Sequence, residues 1–157
     1  MNSDFQIVAL TPDAFEHFFS MSETELAAHG ARRLTVDANP GYPCRISLID
    51  AAIGERVILV PFKHHDVDSP YQASGPIFVR EMAAQAQLAV NEIPLLLKHR
   101  PLSVRAYDQA GMMKASRIVE GTALQESILE LFADETISYL HLHNAGPGCF
   151  NCTVQRA

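Results

Sequence analysis

The chain most resembles a series of short apolar segments that keep meeting glycine, proline or asparagine. "FQIVAL", "RVILVPFKH", "PIFVRE", "LSVRAYD", "MMKASRIVE", "ISYLHLHN" and "CFNCTVQR" are all β-prone, and turn residues bound most of them. Segments this short cannot bury themselves, so they must pair into a sheet, with successive side chains on opposite faces. Strands are expected over Phe5–Leu10, Cys44–Asp50, Arg56–His64, Pro76–Glu81 and the last two hairpins. Only "TALQESILELFADE" (Thr122–Glu135) carries a full helical stripe, with Leu124, Ile128, Leu131 and Phe132 on one side and a Thr122/Gln125 capping box. "TPDAFEHFFS" and "SETELAAHG" predict two short helices, capped by Thr11 and by the Ser22/Glu25 pair, with Gly30 closing the second. The expectation is an α+β fold over residues 1–157 as a single domain. It is a mostly antiparallel, curved sheet of about eight strands with three or four helices packed on it.

With 157 residues, 48% of them apolar, the chain can fill one core. The net charge is −6 and the 12 Lys and Arg are scattered, which argues against nucleic acid and against an anionic membrane surface. No signal peptide and no membrane span are legible, and three cysteines suit a reducing compartment, so a cytoplasmic location is expected. No P-loop, Rossmann glycine pattern or nucleophile elbow occurs.

The chemistry concentrates in "YLHLHNAGPGCF". On a strand, Tyr139, His141 and His143 share one face. Two histidines at i and i+2 can reach one metal ion, which needs at least one more donor. Pairing Asn144 with Cys149 would set His141 opposite Cys152, and a loop one residue longer would set His143 opposite Cys149. Arg45, Arg80 and Arg105 each sit among apolar residues of an expected strand, where a guanidinium must face water, meet a carboxylate or line a pocket. Asp50, Glu55, Glu81 and Asp108 are the acids at hand. "HHDVDSPYQASG" reads as a solvated loop rather than as a metal site, although His64, His65, Asp66 and Asp68 could ligate an ion; in it Tyr71 and Ser74 could meet a ligand.

"DANPGYPCRISLIDAAIGERVILVPFKHH", "SPYQASGPIFVRE", "LSVRAYDQAGMM" and "YLHLHNAGPGCF" together resemble the bacterial domain-of-unknown-function family numbered 1203. The likeness runs over nearly the whole chain. It implies a bacterial cytosolic domain and carries no assigned activity, substrate or cofactor. Its pattern falls here on Cys44, Arg45, Asp50, Gly54, Glu55, Pro70, Tyr71, Ser74, Gly75, Arg80, Arg105, Asp108, His141, His143, Asn144 and Cys149, and leaves Cys152 out.

The leading expectation is a recess that binds, and in an enzyme would transform, a small anionic molecule. Arg45, Arg80 and Arg105 would hold the anion, with Asn144, Ser74 and Tyr71 as further ligand contacts. His141 or His143 would move a proton, and Cys149 would be the nucleophile beside them. No metal ligand set and no cofactor are assigned in that reading, and whether the chain is an enzyme stays open. The alternatives are a metal-binding domain using the His141/His143 strand plus a cysteine, and a non-catalytic protein-interaction module. A homo-oligomer is compatible with either.

Overall fold

A five-stranded antiparallel sheet in the order β1-β8-β7-β5-β6 forms the larger layer of the computed structural model, which describes residues 4–157. Its strands are β1 (Phe5–Val8), β5 (Pro101–Tyr107), β6 (Met113–Glu120), β7 (Tyr139–Asn144) and β8 (Phe150–Arg156). A second, three-stranded antiparallel sheet is built from β2 (Arg32–Thr35), β3 (Arg56–His65) and β4 (Ala73–Arg80), in the order β2-β3-β4. The helices are α1 (Glu16–Phe19), α2 (Glu23–Ala28), α3 (Leu95–Lys98) and α4 (Leu124–Phe132). The fold is α+β with eight strands, divided between two sheets rather than running through one. Residues 1–3, which bear on the expected absence of a leader, lie outside the described residues.

Alternation does what the sequence leads one to expect in the large sheet. Leu102, Val104, Ala106, Leu140, Leu142, Cys152 and Val154 point to one face and are fully buried against the apolar stripe of α4, Leu124, Ile128, Leu131 and Phe132. Removing side chains of this size from water is worth roughly 1.5–3 kcal/mol each. The opposite face carries Tyr107, Arg105 and Ser103 from β5 beside Tyr139, His141 and His143 from β7. A polar face on central strands is tolerable only if water or another layer satisfies it. Here β3 covers part of it, and a second core of Ile58, Val60, Ile77, Val79, Cys44, Ile46 and Phe150 lies beside the histidines.

Three local expectations change. "CRISLID" is a turn, not a strand: Leu48 takes a positive φ of 52°, and the β-pairing of the segment is limited to isolated bridges, Pro43 to Asp50 and Cys44 to Phe78. The reason is Arg45, 1% exposed, whose side chain enters the interior, donating from Nε to the Phe150 carbonyl at 2.7 Å and from a terminal nitrogen to the Pro43 carbonyl. The Thr122/Gln125 capping box is replaced by a 3₁₀ turn over Gly121–Ala123, with no side-chain cap on α4. Thr11 is extended as a cap should be, but it makes no capping bond. The Ser22/Glu25 box forms with both of its hydrogen bonds.

Candidate metal and anion centre

Two bulges assemble the site. Between Leu142 and His143 the register with β8 slips, so His141 faces Thr153, Leu142 faces Cys152 and His143 faces Phe150. The hairpin starts in the first of the two simple registers, with His143 facing Phe150 and the Asn144 N–H donating to the Cys149 carbonyl at 2.8 Å, and leaves it at the bulge. A bulge admits one unpaired residue and re-aims its neighbours. Its consequence is that neither cysteine is the partner of a histidine. Cys152 lies in the dry core, where burial pushes its thiol up to about 12. Cys149 is half-buried in the turn before β8.

The second bulge lies in β3. Phe62 pairs with Gly75 and His65 with Ala73, so β3 holds one extra residue. A regular strand would send His64 and His65 to opposite faces. The extra residue lets both rings approach the large sheet: the His64 ring centroid is 4.9 Å from that of His143 and 6.2 Å from that of His141, and His65 is 5.0 Å from His141. The loop expected to start here begins after these two residues. A pair of histidines ending a long apolar strand was the available signal for them.

His64, His141 and His143 each offer one ring nitrogen, and the three nitrogens lie within 4.8 Å of one another. Each ring also has a buried nitrogen with no hydrogen-bond partner: Nδ1 of His64, Nδ1 of His141 and Nε2 of His143. Buried polar atoms are nearly always paired, and three unpaired ones together are exceptional. For His143 the tautomer follows from its neighbour. Nδ1 lies 2.8 Å from the Gly148 carbonyl, which can only accept, so Nδ1 carries the proton and Nε2 is a bare lone pair. A carbonyl on the remote nitrogen is the usual second support of a metal-bound histidine. His65 is fixed in the same way. Its Nδ1 donates to the Tyr71 carbonyl at 2.7 Å, and its Nε2 accepts from the Tyr139 hydroxyl at 2.6 Å.

Burial is the main reason these rings stay neutral. It lowers His141 to about 3 and His64 and His143 to about 4, with Arg105 and the neighbouring histidines adding to the effect. Phe150 walls the cluster, stacked on His64 with centroids 5.3 Å apart and 6° between the planes.

Arg80 does not join the other two arginines, whereas Arg45 and Arg105 both act on His143. Arg105 is paired with His141 across β5 and β7, half-buried, and its Nε donates to Ser103 Oγ at 3.3 Å. Arg80 ion-pairs with Glu55 at 2.7 Å and is seven residues along β3 from His64, since it pairs with Val57. At about 3.3 Å per residue that is on the order of 20 Å. Arg45 anchors the hairpin from below. Asn144 Oδ1 accepts from Asn151 Nδ2 at 2.6 Å. Tyr71 contributes its carbonyl to His65, and Ser74 is exposed on β4.

A family model described as "Protein of unknown function (DUF1203)" matches residues 41–156. The chain belongs to this family. The matched stretch contains both bulges, all four clustered histidines, Arg45 and Arg105, so the DUF1203 segment carries the complete site. No curated protein and no solved structure matches the chain.

Proposed function

We propose that this DUF1203 protein binds a divalent transition-metal ion through His64, His141 and His143. The observation that carries the reading is that one ring nitrogen from each of three neutral imidazoles lies within 4.8 Å of the others, and that every one of these rings holds a buried unpartnered nitrogen. Such rings are poor anion hosts. A lone pair such as that of His143 Nε2 repels an anion but ligates a cation. Imidazole nitrogen is a borderline donor suited to zinc, copper, nickel or iron, and three protein ligands with an open fourth position is the pattern of reactive rather than purely structural zinc sites. A tetrahedral ion with bonds of about 2.0–2.1 Å would draw the three nitrogens to about 3.3 Å apart, a closure within reach of small ring rotations. The third donor in this reading is His64 and not a cysteine.

The test uses protein purified without a metal-affinity tag, stripped with chelator and titrated calorimetrically with zinc chloride. One equivalent should bind. His64→Ala and His143→Ala should each weaken it at least about a hundredfold, beyond the 10–100-fold typical of losing an outer support. Binding that survives either substitution would sink the assignment. So would substoichiometric binding in the unaltered protein.

A further inference from the structure

The three-histidine centre would be positively charged throughout. All its donors are neutral, so a bound ion keeps its full charge, and Arg105 adds another beside it. Arg105 sits directly across from His141, and its charge acts on all three candidate ligands. Its side-chain contacts are neutral, Ser103 and Tyr107, and among the described residues no carboxylate pairs with it. The chain's other partly buried strand and turn arginines are treated differently: Arg33 meets Glu23 and Glu81, Arg80 meets Glu55, and Arg100 meets Asp50. The nearest acid in sequence, Asp108, is spent on the backbone N–H groups of Ala110 and Met112. A guanidinium left without an acid, half-buried beside a cation site, calls for an anion from outside.

We infer that the site takes a small carboxylate or inorganic oxyanion, one oxygen on the metal's open position and the other in the fork of Arg105. This deepens the metal reading and rests on it. It also makes Arg105 a ligand-binding residue of a different kind from Arg45 and Arg80, whose donors are already committed to carbonyls and to Glu55. The ligand class is narrow. It must be anionic and present two oxygens on one small centre, because one oxygen must reach the metal while the other reaches a guanidinium held on the neighbouring strand.

The experiment loads the stripped full chain with cobalt(II) and follows the visible absorption that a low-coordinate cobalt site produces. Acetate, bicarbonate and, as a neutral metal ligand that Arg105 does not attract, imidazole are then titrated. Acetate or bicarbonate should perturb the bands saturably. In Arg105→Met the cobalt bands should persist with cobalt bound at least as tightly, because a repelling charge is gone. Acetate or bicarbonate affinity should fall at least about tenfold, the loss expected for one charge-assisted bond, while imidazole binds no more weakly. Arg80→Met should change none of these. Circular dichroism checks that Arg105→Met is folded, and Arg105→Lys should restore part of the oxyanion affinity. Cobalt bands that no oxyanion alters, or an unchanged affinity in Arg105→Met, overturn this inference and leave the metal centre standing. A chain that yields no cobalt bands overturns both.

Discussion

At the scale of single residues, the histidines couple the site to stability through protons. His141 and His143 titrate at about 3 and 4 in the folded chain against an ordinary 6.5. The unfolded chain therefore binds more protons between those values, and stability falls as pH drops from about 6.5 toward 4. A tenfold difference in proton affinity between the folded and unfolded chain is worth about 1.4 kcal/mol, so the two buried rings together remove on the order of several kcal/mol. His64 adds less, because it is more open to solvent and screened. Urea titrations of metal-free protein at pH 7 and pH 5 should show this loss. His141→Gln and His143→Gln should flatten it, and a pH-independent midpoint would contradict the neutral-ring picture. Arg45 is the opposite kind of residue. Burial lowers it only to about 10, so it stays charged, held by two backbone carbonyls. Arg45→Ala should cost about 3–5 kcal/mol by leaving a cavity and orphaned carbonyls, and Arg45→Met less, because it restores volume without a buried charge.

At the scale of elements, junctions matter more than lengths. Gly121 lies where α3 approaches the 3₁₀ turn before α4, and an added Cβ would stand 1.9 Å from the Leu97 carbonyl oxygen. That atom belongs to backbone and cannot rotate away. Gly121→Ala should therefore cost about 3 kcal/mol or more in chemical denaturation, while Gly146→Ala, which meets nothing within 4 Å, should cost under about 1 kcal/mol. On α2 the capping box makes Ser22→Ala worth about 1 kcal/mol. The elements themselves were largely legible. The termini of β3, β5, β6, β7 and β8 fall within a few residues of the alternating segments, because alternation is a local property. "CRISLID" was not legible as a turn, since its pattern is strand-like and only the descent of Arg45 into the interior breaks it.

At the scale of the molecule, the polar face of the five-stranded sheet is closed by the end of the other sheet, and the candidate centre lies at that closure. A ligand held by residues from both sheets should stabilise the whole chain by mass action. Zinc at a hundred times its dissociation constant is expected to add about 2.7 kcal/mol to folding, read as a raised melting temperature that His64→Ala abolishes. Arg80→Ala, which breaks an ion pair with both partners partly exposed, should change stability by no more than about 1 kcal/mol and leave the zinc effect intact. Among the described residues no helix is long and apolar enough to cross a membrane.

The sequence by itself determined the α+β class, most strands, the stripe of α4, and the sharing of one face by Tyr139, His141 and His143. These follow from periodicity, which neighbouring residues impose on one another. Tertiary structure alone decided which third side chain joins the histidines. It separated Arg80 from Arg105, sent Cys152 into the dry core, and placed His64 beside His143. Those outcomes turn on two one-residue bulges and on the packing of one sheet against another. A bulge leaves the local alternation nearly intact while reversing which face every later residue occupies, so the residues on either side cannot announce it.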